Sequence, residues 1–179
     1  TSFLLNSLNT KIASDALSII ENPFLNKGHS STYFDGEGVS LKERPVLDKG
    51  FLNGYFLSSY SARKLGMQTT GNAGGAHNLI VKSSKNSLSE LIQGIDKGLL
   101  ITELLGHGLN MVTGDYSRGA AGFWIESGKI QHAVEEITIA SNLKDMLLNI
   151  KAIGNDTYQN SSKYTGSIMI EPMTVAANS

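Results

Sequence analysis

The chain has 179 residues, 40% of them hydrophobic and 17% charged, with a net charge of −1. That is enough for one substantial domain or two small ones, and it lacks the basic excess of a dedicated nucleic-acid binder. Cysteine is absent, which excludes a disulfide framework and any thiolate nucleophile or metal ligand.

No apolar run approaches the roughly 18 residues of a membrane span. The opening Thr1-Ser-Phe-Leu-Leu-Asn has neither a basic n-region nor a cleavage site, so no secretion signal is expected. A cysteine-free chain of this kind fits a reducing cytoplasm. It starts without Met, in what reads as the first turn of a helix, so a piece cut from a longer protein is expected.

Ser2–Ser14 reads as a weak helix with Phe3, Leu4, Leu8 and Ile12 on one side. Ala16–Glu21 follows as a short strand and Lys27–Gly38 as a Gly-, Ser- and Asp-rich loop. Leu41–Ser59 holds two β runs. Asn53-Gly54 is the stronger isolated hairpin signal, but a turn at Asp48-Lys49-Gly50 keeps Phe51–Ser58 as one strand and is preferred. Tyr60–Gly66 is one helical turn, Thr69–Ala76 is irregular, and Ala76–Ser83 is a strand.

Ser87–Lys97 is the best helix. Ser87 and Glu90 form a capping box, and Leu88, Leu91, Ile92 and Ile95 make one apolar stripe. Gly98 ends it, and Leu99–Leu105 is strand-like. Gly122–Glu126 and Lys129–His132 form a hairpin about Ser127-Gly128. Along Glu135–Ala140, Ile137 and Ile139 face one way and Glu136 and Thr138 the other. Ser141 caps a helix through Ile150. Lys151–Gly154 and Gly166–Ile170 are terminal strands. The class is α+β, mostly antiparallel β-sheet in a sandwich- or barrel-like arrangement, with two or three helices.

Few residues suggest chemistry. A hydrolytic zinc site needs about three His, Asp, Glu or Cys ligands. His29, His77, His107 and His132 share no helix face, and His-Glu-x-x-His is absent. His77 and His107 sit in glycine-rich loops and could meet in space. Ser117 in Asp115-Tyr-Ser-Arg-Gly is not in Gly-x-Ser-x-Gly, and no histidine is placed to serve it. The alternative is a tight turn, in which Asp115 and Ser117 accept backbone N–H groups and Arg118 pairs with a carboxylate.

Gly71-Asn-Ala-Gly-Gly-Ala offers backbone N–H groups, but no Gly-Lys-Ser/Thr follows it. A loop that lets another backbone approach, such as an extended peptide adding to a strand edge, suits it better. Tyr55, Phe56, Phe123 and Trp124 read as packing residues. One member of each adjacent pair could instead line a groove or an interface.

Thr102-Glu-Leu, Thr113-Gly-Asp-Tyr-Ser-Arg-Gly-Ala-Ala-Gly-Phe-Trp-Ile-Glu and Glu136-Ile-Thr-Ile-Ala-Ser-Asn-Leu-Lys-Asp-Met closely resemble the TldD/PmbA metalloprotease family, on its PmbA/TldE ("modulator of DNA gyrase") branch. Tyr60-Ser-Ala-Arg-Lys-Leu-Gly, Thr70-Gly-Asn-Ala-Gly-Gly-Ala-His-Asn and Gly154-Asn-Asp fit as well. The resemblance runs along essentially the whole chain and covers the family's C-terminal portion, so residues 1–179 are expected to be that domain.

The resemblance implies a cytoplasmic heterodimer with a TldD-like catalytic subunit, acting on extended or unfolded peptides. It places the His-Glu-x-x-x-His helix in the partner's N-terminal domain, and a cysteine of the partner's C-terminal domain completes the zinc site. In this chain the matching region is about Lys163–Gly166, with Thr165 near the cysteine's place. The expectation is therefore no catalytic residue and no metal here, with zinc in the partner.

Gly74, Gly75, His77, Asp115, Tyr116, Ser117 and Arg118 are the candidates for peptide binding or a subunit interface, Asp115–Arg118 as a turn shaping a channel or contact. A homodimer is a further possibility, and neither nucleic acid nor membrane is expected as a partner. Two rivals remain: a self-sufficient hydrolase using Ser117 or His77 and His107, and a gyrase-modulating regulator without peptidase activity of its own.

Overall fold

The computed structural model describes residues 2–177. Three sheets carry it. The first has five strands in the order β3 (Phe51–Leu52), β2 (Arg44–Asp48), β1 (Ile19–Glu21), β4 (Leu79–Val81) and β9 (Lys163–Tyr164). Its pairs are antiparallel except β4 with β9, which run parallel. A two-stranded sheet joins β8 (Ile150–Ile153) to β10 (Ile168–Ile170). The third is a four-stranded antiparallel sheet ordered β11 (Thr174–Ala177), β7 (Lys129–Asn142), β6 (Asp115–Glu126) and β5 (Lys97–Leu105).

Three one-and-a-half-turn helices complete the fold: α1 (Ser59–Lys64), α2 (Leu88–Gln93) and α3 (Leu143–Leu148). The class is α+β, dominated by antiparallel β, and no sheet among the described residues closes into a barrel.

Two apolar clusters hold the layers together. Ala13, Leu17, Leu47, Leu52, Ile150 and Ile153 are buried between the five-stranded sheet and the β8–β10 pair, with Leu147 of α3 against them. Ala120, Ile137 and Ile139 form the second cluster on one face of the four-stranded sheet, with Leu99, Ile101, Tyr116, Val134 and Met173 packed on it. Ile137 and Ile139 face inward as their alternation predicts.

Several local expectations hold. Ser87 accepts the Glu90 N–H while the Glu90 carboxylate accepts the Ser87 N–H, a complete capping box. The β6–β7 hairpin turns at Ser127-Gly128, both with positive φ.

Others are corrected. Ser2–Ser14 is a chain of turns, because Asn6 and Asn9 sit at φ 66° and 61°, a left-handed backbone that no helix continues through. β3 stops at Leu52 instead of running to Ser58: beyond Asn53 the chain turns to other partners, and the Leu57 N–H bonds the Thr70 hydroxyl. α2 ends at Gln93, with Gly94 as its cap, and Lys97 and Gly98 already belong to β5. Asn142, not Ser141, caps α3.

Candidate functional site

The largest departure from expectation is at Asp115–Arg118. These residues are not a turn but the start of β6, paired with Ile139–Asn142 of β7. The turning is done just upstream. Asn110 accepts the N–H groups of Val112 and Thr113, and Gly114 takes φ +85°.

Asp115 accepts from the Thr113 hydroxyl at 2.6 Å and from Asn142 Nδ2 at 3.1 Å, so no backbone N–H reaches its carboxylate. Those two bonds hold its carboxyl below the ordinary aspartate range. Among the described residues Arg118 meets no carboxylate. Its Nη2 and Nε donate to the carbonyls of Leu104 and Leu105 at 3.2 and 3.4 Å, across the strand pair. Ser117 faces solvent and its hydroxyl finds no hydrogen-bond partner among the described residues, while its main-chain N–H bonds the carbonyl of Gly108, the residue after His107. Tyr116 points to the opposite face, onto the second apolar cluster.

Asn142 therefore works twice: its Oδ1 accepts the Lys144 N–H as the α3 cap, and its Nδ2 holds Asp115 and the Thr113 carbonyl. Asn142→Ala is expected to cost about 1 kcal/mol in urea unfolding, the usual worth of a cap. A neutral result would show that the cap is dispensable.

Gly74, Gly75 and His77 do come together, on a different sheet, at the entry to β4. They rim a shallow pocket with Asp35 and Ser30–Thr32. Gly74 and Gly75 hold φ +111° and +114°, which only glycine adopts readily. His77 lies above a buried polar cluster that the sequence did not reveal.

Glu21, 2% exposed, accepts Arg44 Nε at 2.8 Å, Asn72 Nδ2 at 2.7 Å and the His77 N–H at 3.0 Å, and His77 Nδ1 lies 3.1 Å from the same carboxylate. Arg44 also bonds the Tyr55 carbonyl and Asn72, and stacks on Phe56 at 5.3 Å. Burial pushes the Glu21 carboxyl up. The N–H of His77, the Asn72 amide and the Arg44 guanidinium outweigh it and leave the group below its ordinary value. Asp35 is likewise raised by burial and brought low by the N–H groups of Ala73, Val39 and Glu37.

The described residues do not fit a zinc ion. Among the described residues no three His, Asp or Glu side chains converge, and a zinc site needs at least three protein ligands. His77 is committed to Glu21 and Glu21 to Arg44, while His107 is exposed in the loop after β5, outside the His77 pocket. Thr165 follows β9 directly after Tyr164, which pairs with Ile80, so it sits toward the opposite end of β4 from His77.

Of the aromatic pairs, Tyr55 is a packing residue whose hydroxyl bridges the Ser7 N–H and the Leu4 carbonyl. Phe56 and Phe123 are the more exposed members of their pairs.

A trough of about 940 Å³ runs along β5, walled by α2 on one side and β10 with Met173 on the other. Its lining is dominated by Leu, Ile and Met side chains, Leu91, Ile95, Leu99 and Met169 among them. No sequence signal announced it, since its walls come from residues 88–104, 116–146 and 167–173.

Comparison with known proteins places the chain. A sequence model of the PmbA/TldA metallopeptidase C-terminal domain matches residues 1–177. The chain belongs to this family. It is 48% identical over 176 residues to the metalloprotease PmbA of Escherichia coli O157:H7, covering 98% of this chain and 39% of that protein. It is 46% identical over 179 residues to a Haemophilus influenzae metalloprotease PmbA homolog, covering 99% and 40%. The chain thus spans about 40% of the length of these relatives.

A Bacteroides thetaiotaomicron structure described as a modulator of DNA gyrase superposes with a TM-score of 0.94 at 40% identity, covering 99% of this chain and 40% of that one. TldE from Thermococcus kodakarensis superposes with 0.85 at 25% identity, covering 97% and 42%. No helix among the described residues is long and apolar enough to cross a membrane.

Proposed function

We propose that this PmbA/TldE-type domain is the scaffolding and peptide-binding part of a cytoplasmic TldD/TldE-type metalloprotease, acting in peptide maturation and in proteolysis of unfolded peptides. The zinc is carried by a TldD-like partner subunit. The observation that carries this reading is the commitment of His77: the one buried histidine among the described residues is fixed to Glu21, itself paired with Arg44, in a family named for metal-dependent proteolysis.

Such a chain contributes positioning rather than bond cleavage. Unpaired main-chain groups at a strand edge bind extended peptides without regard to most of their sequence, which suits a protease of unfolded segments. Gly74, Gly75 and His77 on one sheet and Asp115–Arg118 on the other are then peptide or subunit contacts, with a homodimer as the alternative assembly.

The test is peptidase activity on an unstructured peptide, with this protein alone and with its TldD-like partner. Cleavage is expected only for the pair, and Ser117→Ala should leave it unchanged, because no side chain among the described residues hydrogen-bonds the Ser117 hydroxyl. An inert pair that assembles correctly would refute the proposal. Turnover by this chain alone, abolished by Ser117→Ala or His77→Ala, would favour a self-sufficient hydrolase.

The second reading is a gyrase-modulating interaction protein without peptidase activity, favoured by the description of the Bacteroides thetaiotaomicron neighbour. Direct DNA contact by such a protein would show as a steeply salt-dependent shift, which the net charge of −1 does not favour.

A further inference from the structure

His77 commits one ring nitrogen to Glu21 and leaves the other free. Glu21 is held as a carboxylate and can only accept, so His77 Nδ1, 3.1 Å away, is the donor. Nε2 has no partner among the described residues. None of their side-chain nitrogens or oxygens is both buried and unpaired, so Nε2 reaches open space, and that space is the pocket His77 lines.

The pocket encloses about 300 Å³, the lower end of the range for a small-molecule site. Three more donors on its walls have no partner among the described residues: the N–H groups of Gly74 and Ala76 and the Ser30 hydroxyl. Asp35, the carboxylate on the same wall, is already taken, since its oxygens accept the N–H groups of Glu37, Val39 and Ala73. Nothing stands within 4 Å of where a Cβ of Gly74 or Gly75 would be, so the rim is open there.

We infer that the His77 pocket binds a carboxylate, held by the main-chain N–H groups of Gly74 and Ala76, the Ser30 hydroxyl and a protonated His77 Nε2. Neutral His77 presents a lone pair at Nε2, so binding draws a proton onto the ring. The imidazolium then bridges two carboxylates, Glu21 through Nδ1–H and the ligand through Nε2–H.

Charge selects the ligand class. Among the described residues the charged groups around His77 are Glu21 of β1, Arg44 of β2 across it, and Asp35 from the loop before β2. With the ring protonated, two negative charges face two positive ones. A carboxylate adds one negative charge, whereas a phosphate adds about 1.5 to 2 and meets more repulsion from Glu21 and Asp35. Phe34, 61% exposed, lies on the same pocket, so an apolar group next to the carboxylate should strengthen binding.

Two sources carry such a group: the C-terminal end of a peptide and a free organic acid. Only the first rests on the peptide-handling reading above.

The experiment follows the amide and imidazole NMR signals of this protein during titration with acetate, N-acetylphenylalanine, the amide of that acid, inorganic phosphate, ammonium, and an N-acetylated pentapeptide ending in phenylalanine. The acids should shift Gly74, Ala76 and the His77 ring. N-acetylphenylalanine should bind more tightly than acetate or phosphate, and its amide about tenfold more weakly, the worth of one charge-assisted hydrogen bond. Affinity should fall as pH rises from about 6 to about 8, because the bound state holds the extra proton. His77→Gln should weaken binding and remove that pH dependence. Ser30→Ala, which leaves Glu21 and its partners untouched, should weaken it by about two- to tenfold.

Equal binding of acid and amide, affinity for the acids independent of pH, or preference for ammonium would each overturn the site. A pentapeptide that binds as well as the single acid assigns the carboxylate to a chain end, and one that is shut out assigns it to a free acid; both support the site. Carboxylate bound here with an inert protease pair would remove the proposed function and leave this inference. Cleavage by the pair without carboxylate binding here would do the reverse.

Discussion

Glu21→Gln is expected to lower the unfolding free energy by about 3 kcal/mol, the lower end of the range for breaking a buried ion pair from one side. The carboxylate is 2% exposed and Arg44, its partner at 2.8 Å, only 12% at the side chain. Glutamine fills the volume but leaves the guanidinium without its counter-charge, and it brings two donors to a place where the protein needs an acceptor for Arg44, Asn72 and His77. Replacing both Glu21 and Arg44 by apolar residues of similar volume should cost less than the single change.

The pH dependence follows from the direction of the Glu21 shift. Its folded pKa lies below the ordinary value of 4.5. Its stabilisation is therefore fully present above that value and is lost as pH falls through the lower, folded one. Urea midpoints of the native protein should fall on acidification below about 4.5. Glu21→Gln should flatten that fall without abolishing it, because Asp35 and Asp156 are also held below their ordinary value of 3.8 and add to the fall at lower pH. A variant that follows the native curve at constant offset would show that Glu21 titrates normally.

Gly122→Ala should be comparably disruptive for a steric reason. Gly122 lies in β6 opposite Ile101 of β5. A Cβ there would stand 1.9 Å from the Leu100 carbonyl oxygen and 3.0 Å from the Ile101 Cα. Both are main-chain atoms, so no rotamer change relieves the clash, and β5 itself must move. A loss of about 3 kcal/mol is expected, the upper end for overpacking a tight site. Because the move displaces the trough wall, exchange of the β5 amides should accelerate more than that of the β8–β10 pair. A change within about 0.5 kcal/mol would contradict so close an approach of the two strands.

Local chemistry made part of this molecule legible. The capping box of Ser87 and Glu90, the Ser127-Gly128 turn and the Ile137/Ile139 alternation each depend on residues within a few positions of one another, and each is where it was expected. The N-terminal segment shows the limit of periodicity. Phe3, Leu4, Leu8 and Ile12 are spaced like a helix face, yet two asparagines in left-handed conformation break the chain into turns.

The first seven residues of β6 were missed for another reason. Asp-Tyr-Ser-Arg-Gly-Ala-Ala has the composition of a loop. It is held extended by pairing on both sides, and the close approach of β5 favours small residues there.

Of the candidate sites, the sequence located the glycine rim around His77 but not what lies beneath it. Glu21 and His77 are 56 residues apart and Arg44 lies between them in the chain, so nothing in the spacing signals the cluster. The trough along β5 is more remote still, because an edge is defined by the strand that is not there. Membership of the PmbA/TldA metallopeptidase domain family was legible throughout, since the motifs that carry it are long and extend over almost the whole chain.

Zinc content measured on separated subunits, together with turnover of an unstructured peptide, tests most directly whether this chain positions while its partner cleaves. The account predicts stoichiometric zinc on the TldD-like subunit, none retained by this chain, and cleavage only when the two are combined. Zinc held in stoichiometric amount by this chain, with turnover in isolation, would contradict it.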